Sequence, residues 1–272
     1  MGTLNFHRDR STGIAEIEIN VPDRRNALHA GFWSAFPRLL DEVDADPAFR
    51  VLILRSAGEH FSAGMDLDFF EDVRRLQDED PGRYREWIRR KVLFLQSGLN
   101  RMESIRVPVI AVVQGACIGG GLDLICATNL RIGTADAFFR IHEIHIGMMA
   151  DLGVLQRLPK LIPAAIVHDL ALTGRSMKAP EALQHGFLNS VHASSGEALS
   201  AAREIALTIC KHSPLAVAGT KAALNHSRDH SVQEGLEFAS LWNSGMFITE
   251  DVPNAIAAQK ARSAVQFKDL LS

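Results

Sequence analysis

The chain has 272 residues, of which 47% are hydrophobic and 22% charged, with a formal net charge of −3 at pH 7. This is the composition of a globular protein with a large core, and it leaves no basic footprint for nucleic acid or an anionic membrane. Cys117, Cys126 and Cys210 form no CxxC pair, so they read as buried free thiols of a reducing compartment rather than a metal or disulfide framework.

In chain order, residues 3–7 and 12–19 alternate apolar and polar side chains around Ser11-Thr12-Gly13, the pattern of a hairpin. Asp23-Arg24-Arg25-Asn26 follows Pro22 as a polar turn, whose arginines read on their own as solvated. From Phe32 through Phe36, Leu40 and Val43 the apolar period is helical and ends near Asp46-Pro47. Val51–Leu54 is a buried strand, and the small residues of Phe61–Leu67 after it make a loop that a ligand can approach closely. Residues 68–86 are rich in charge (Asp68, Glu71, Asp72, Arg74, Arg75, Asp78, Glu79, Asp80) and read as a solvent-facing cover. Trp87–Ile105 restores helical periodicity, and Val109–Val113 is the central buried strand. Gly115 and Gly119-Gly120-Gly121 break that strand before Leu122–Ala127 resumes as helix.

Beyond Asp151, helices are expected over 152–161, 164–172 and 178–185, and a strand over 187–192. From Gly196 onward four helices follow: 197–211, 214–227, 231–244 and 249–261. Ser213-Pro214 is a strong start signal for one of them. The alternation of strands and helices followed by helices alone predicts an α/β core over 1–195 and a helical region over 196–272 that packs on the core or builds an oligomer interface. The N-terminus lacks the pattern of a signal or transit peptide, and Lys268–Ser272 carries no peroxisomal or reticulum address, which predicts a cytosolic protein.

The chemistry concentrates between Val107 and Leu155. A glycine-rich strand-to-helix turn presents free backbone N–H groups at the positive end of a helix, a setting for a developing oxyanion. Asp123 sits in the first turn of that helix, where an acidic residue also simply complements the helix end. Glu143 and Asp151 lie eight positions apart in a stretch rich in Ile, Met and Gly. Carboxylates in such surroundings acquire raised pKa values suited to acid–base work. His142 and His145 are three apart rather than four and have no evident third ligand, so no metal site is predicted. No Walker motif, GxGxxG or GxSxG is present, so phosphate-transfer and serine-hydrolase chemistry have no support.

Phe61-Ser62-Ala63-Gly64-Met65-Asp66-Leu67 and Gly115-Ala116-Cys117-Ile118-Gly119-Gly120-Gly121-Leu122-Asp123-Leu124 resemble the two signature loops of the enoyl-CoA hydratase/isomerase (crotonase) superfamily. Within it the resemblance is to the dienoyl-CoA isomerase branch, and it runs from Asp23-Arg24-Arg25-Asn26-Ala27-Leu28 to the C-terminal helices. It implies a spiral of ββα turns with a helical C-terminal region that makes homotrimers, often paired into homohexamers. It also implies an acyl-CoA thioester substrate, with coenzyme A entering as part of the substrate and no separate cofactor. The N–H groups of Met65 and Gly120 would form the oxyanion hole. Ala63, Gly64, Met65, Asp66, Leu67, Gly120 and Arg25 would line the coenzyme A and acyl site.

The acids distinguish branches of the family. Similar hydratases carry glutamates at positions 123 and 143 and a non-acidic residue at 151, whereas here 123 and 151 are aspartates. The resemblance therefore implies isomerisation of a 3,5-dienoyl-CoA to the 2,4-dienoyl-CoA. Glu143 would be the base at C2, Asp151 the acid at C6, and Asp123 a residue that orients the site or tunes its pKa values. The alternatives are an enoyl-CoA hydratase or Δ3,Δ2-enoyl-CoA isomerase acting on monoenes, and a non-catalytic acyl-CoA-binding or scaffold protein.

Overall fold

The alternation at the N-terminus folds as expected: β1 (Leu4–Asp9) and β2 (Ile14–Ile19) pair antiparallel, with Leu4 opposite Ile19. The computed structural model describes residues 3–69 and 80–271. From β2 the sheet continues with parallel neighbours: β3 (Val51–Ser56), β4 (Val109–Val113), β6 (Leu130–Thr134) and β9 (Ser190–His192). Parallel strands need crossovers, and two long helices supply the first two: α1 (Ala30–Ala45) from β2 to β3 and α2 (Pro81–Ser104) from β3 to β4. Asp80 starts α2 by accepting a hydrogen bond from the Arg83 N–H at 3.0 Å. Asp68 pairs with Arg24 at 3.2 Å, while the rest of the charged cover at 70–79 lies outside the described residues.

Successive strand residues point to opposite faces, and both faces are covered. Ile17, Ile19, Leu52, Leu54, Val109, Ala111 and Val113 face the main core with Phe32, Phe36 and Leu99 from the helices. Ile14, Val51, Ile53, Ile110, Val112 and Ile132 face the helix Ser195–Cys210 (α7), which approaches closely because it presents Ala198, Ala202 and Ala206. Glu16, nearly buried on that second face, is held by Arg55 and by Arg203 of α7, the latter at 2.7 Å.

A smaller sheet, which the sequence pattern does not announce, joins β5 (Ala116–Ile118), β7 (Phe138–Arg140) and β8 (Met177–Lys178). Its strands are two or three residues long, too short for a period to register. Strand β6 also escapes the sequence pattern because Arg131 interrupts it. Arg131 is buried, and its guanidinium is satisfied by the Phe187 and Thr128 carbonyls, each at 2.7 Å.

Other boundaries move for identifiable reasons. The helix after the glycines, α3 (Gly120–Cys126), begins on Gly120, so two of the three glycines lie inside it. The expected helix 152–161 is a short α4 (Val154–Arg157) and a 3₁₀ turn (Leu158–Lys160), because Pro159 has no N–H to continue the ladder. The strand at 187–192 shortens to Ser190–His192. Helices α5 (Ala164–Thr173) and α6 (Ala179–Gln184) match their expected spans closely.

The chain closes with α8 (Pro214–Asp229), α9 (Val232–Met246) and α10 (Asp251–Ala261). Ser213 caps α8 as its sequence predicts, accepting from the Ala216 N–H. Lys221 of α8 is buried and donates to the Val107 carbonyl at 2.8 Å and the Met102 carbonyl at 3.3 Å, tying the last helices to the core. Leu241 and Ile248 of this region stay exposed, at 73% and 93%.

Candidate active site

Two isolated parallel bridges build the site. Ser62 bridges Cys117 of β5, and Leu28 bridges Met65. In the second bridge the Leu28 N–H donates to the Gly64 carbonyl at 2.8 Å, and the Asp66 N–H donates to the Leu28 carbonyl at 3.4 Å. Amides of an extended segment alternate sides, so the Met65 N–H faces away from Leu28. There it meets the start of α3, where a Cβ on Gly120 would stand 3.7 Å from the Met65 nitrogen. Among the described residues neither the Met65 nor the Gly120 N–H donates to a protein acceptor.

Glycine is required beside these amides. Gly64 has φ +91°, and a Cβ there would lie 2.9 Å from the Ile118 carbonyl oxygen, so a side chain would push the loop off β5. Strand β7 runs parallel to β5 with Ile118 opposite Arg140, and the Gly119 N–H donates to the Arg140 carbonyl at 3.0 Å. That register carries Glu143, three residues farther on, over the glycine turn. A Cβ on Gly119 would stand 3.3 Å from Glu143 Oε1.

Asp123 is fully buried, and its Oδ1 accepts a 2.6 Å hydrogen bond from the Val154 N–H. Its Oδ2 and the Oε2 of Glu143 are buried without a protein partner among the described residues. Burial, reinforced by the charge of Glu143, pushes the Asp123 carboxyl up to about 8 against the hydrogen bond from Val154. Glu143 is raised by burial and then by Asp151, and Asp151 is raised by burial. The three acids thus titrate as a coupled set that retains protons at pH values where free carboxyls have lost them.

Glu143 and Asp151 open onto a cavity of about 500 Å³, walled by the loop Ala63–Leu67, by Gly119 and Gly120, and by Val92 and Leu95 of α2. Arg25 stands at its rim in a left-handed turn (φ 49°) and makes no ion pair among the described residues. Its neighbour Arg24 is held by Asp66 at 2.9 Å. A larger cavity of about 780 Å³ lies among the C-terminal helices, lined by Leu215, Trp242, Met246 and Phe247, and contains none of the three acids.

The residues singled out in the sequence therefore converge on one cavity, with Asp123 directly behind it. The sequence reading missed the wall from α2, although Val92, Leu95, Gln96 and Leu99 recur at helical spacing and mark one face. His142, weighed in the sequence only as half of a metal pair and not as a site residue, also lines the cavity, with its Nδ1 buried and unpartnered among the described residues.

Residues 9–270 match the family model described as Enoyl-CoA hydratase/isomerase. The chain is 40% identical over 267 residues to the peroxisomal Delta(3,5)-Delta(2,4)-dienoyl-CoA isomerase of Arabidopsis thaliana, covering 97% of this chain and 96% of that one. It is 36% identical over 262 residues to the mitochondrial Delta(3,5)-Delta(2,4)-dienoyl-CoA isomerase of Rattus norvegicus, covering 94% and 80%. A crystal structure of an enoyl-CoA hydratase/isomerase from Cupriavidus metallidurans superimposes with a TM-score of 0.88 at 26% identity, over 100% of this chain and 98% of that one. The peroxisomal and mitochondrial names overturn the cytosolic expectation. Addresses are short segments read by receptors or removed after import, so a missing address pattern is no measure of compartment. With the match extending over nearly its whole length and its fold superimposing on a solved member, the chain belongs to the enoyl-CoA hydratase/isomerase family and has the crotonase fold.

Proposed function

We infer that this enzyme converts 3,5-dienoyl-CoA thioesters into 2,4-dienoyl-CoA thioesters in fatty acid β-oxidation. The observation that carries the reading is the aspartate at 151, sharing a cavity with Glu143 and standing in front of the buried Asp123. Conjugating a 3,5-diene with the thioester removes a proton from C2 and adds one at C6, so two separated groups are needed. Glu143 takes the C2 proton, and the electron pair spreads through the thioester and both double bonds. Asp151 delivers a proton to C6, leaving the 2,4-diene. Glu143 is then protonated and Asp151 ionised, and proton exchange resets both. Asp123, kept protonated by its burial and by the charges of Glu143 and Asp151, stands behind the pair and orients the site through the Val154 N–H.

The negative charge that builds on the thioester oxygen is taken up by the Met65 and Gly120 N–H groups, which are free to donate. Coenzyme A lies along Ala63, Gly64, Met65, Asp66 and Leu67, with its phosphates near Arg25. Arg25 suits this role because Arg24 is already neutralised by Asp66. Helices α8–α10 build the contacts of a trimer or hexamer, a reading supported by the exposed Leu241 and Ile248. Helix α7 is committed to the sheet.

Gly120→Ala tests the oxyanion reading. Gly120 lies in α3 without a left-handed φ, so alanine fits the backbone, and its methyl would stand 3.4 Å from Leu28 Cδ1 and 3.7 Å from the Met65 nitrogen. Thermal melting should stay within a degree or so of the native protein, while turnover falls on the order of 10²–10³-fold. Native turnover in this variant would remove the two amides from the mechanism.

The activity itself is read by ultraviolet spectroscopy, following the conjugated 2,4-dienoyl band from a 3,5-dienoyl-CoA alongside a 2-enoyl-CoA. Rapid growth of the diene band with the enoyl band intact is expected. Loss of the enoyl band with an inert diene would mean hydration instead, and a tight complex with turnover of neither would mean a binding protein.

A further inference from the structure

Asp151 stands at the head of an irregular turn, Asp151-Leu152-Gly153, between the 3₁₀ turn that carries Glu143 and helix α4. Irregular backbone carries no ladder of its own, so its side chains are only as well placed as its individual anchors. Three anchors are present on consecutive peptide groups. The Asp151 carbonyl accepts from Gln96 Nε2 of α2 at 2.6 Å. The Leu152 carbonyl accepts from Arg157 Nη1 at 3.2 Å. The Val154 N–H donates to Asp123 Oδ1 at 2.6 Å. Arg157 is in turn gripped by α2, through Asn100 Oδ1 and Glu103 Oε2, each 2.7 Å from its Nη2. Gly153 has φ +125°, and a Cβ there would stand 1.9 Å from Arg157 Nη1, so the turn is shaped around that guanidinium.

We propose that Gln96 is a positioning residue for Asp151: by holding the Asp151 carbonyl to the wall helix, it sets where the carboxyl meets C6 of the substrate. Arg157, on α4 but itself held by Asn100 and Glu103 of α2, fixes the following peptide, so α2 aligns the acid while β7, through the register that places Glu143, aligns the base. The two proton transfers then rest on different elements, and disturbing α2 at Gln96 disturbs one and spares the other. The amide of Gln96 is neutral and reaches the peptide rather than the carboxyl, so it holds geometry at every pH without changing the charge of the acid. The inference rests on the assignment of Asp151 as the acid.

The test is Gln96→Met, which keeps length and apolar contact but cannot donate. In heavy water, a 3,5-dienoyl-CoA recovered before full conversion reports deuterium uptake at C2, the half-reaction of Glu143, while the 2,4-dienoyl band reports completion by Asp151. Gln96→Met should show native C2 exchange and native KM with conjugation lowered on the order of 10- to 100-fold, as a misplacement of about 1 Å produces, in the same sense as Asp151→Asn. Equal loss of exchange and conjugation, or conjugation within about twofold of native, would overturn the proposal. A wild-type enzyme inert toward the diene would instead sink the isomerase reading, and a native-rate Asp151→Asn would sink the acid assignment, so the failures are separable.

Discussion

Asp151→Asn is expected to bind a dienoyl-CoA as the native enzyme does and to exchange its C2 hydrogen with solvent, while conjugation falls by about 10²–10⁴-fold. Asparagine keeps the size of the side chain and leaves the Gln96 bond to the backbone carbonyl in place, but it has no proton to give to C6. Glu143→Gln is expected to lose both exchange and conjugation, because the dienolate never forms. The pair separates base from acid by which half-reaction survives. Isothermal titration with a non-isomerisable acyl-CoA gives binding, mass spectrometry of recovered substrate gives exchange, and absorbance gives conjugation. An Asp151→Asn enzyme that conjugates at the native rate would remove Asp151 from the chemistry, and exchange surviving in Glu143→Gln would place the base elsewhere.

The second large effect concerns stability. Asp123 is buried with its carboxyl raised from 3.8 to about 8, burial being the main cause and Glu143 the next. A carboxyl whose pKa is raised by folding binds its proton more tightly in the folded chain than in the unfolded one. Its contribution is therefore fully favourable below the unfolded value, is lost as pH rises through the interval from 3.8 to about 8, and is level above it. Asp123→Asn keeps an oxygen to accept from the Val154 N–H and cannot ionise. It should melt like the native protein near about pH 4 and be more stable by on the order of a few kcal/mol near about pH 9. Turnover at neutral pH should change little, since a carboxyl raised to about 8 is already mostly neutral there. Melting curves across that pH range decide it: a variant less stable than native throughout would mean that Asp123 stabilises the fold rather than straining it.

Much of this was legible in the linear sequence because it is local. The hairpin, α1, α2, β3, β4 and the four last helices all declare themselves through periods of two or 3.6 and through caps such as Ser213-Pro214. The glycine turn and the three acids declare themselves through residue type. Strand β6 did not, because Arg131 looks like a loop residue until the Phe187 and Thr128 carbonyls are seen to satisfy it. The strands of the small sheet did not, because two or three residues hold no period.

What the sequence determined by itself was the family signature, the identity of the acids and the order of most elements. Only the tertiary structure decided how these meet. The facing of the Met65 and Gly120 amides depends on a bridge between Leu28 and Met65, and the place of Glu143 depends on the register of β7 against β5. The anchoring of Asp151 depends on Gln96, 55 residues earlier in the chain. The raised carboxyls depend on burial, which the whole core creates. Each is a long-range property: hydrogen-bond register and exclusion of water are set by elements distant in sequence, and no local pattern carries them.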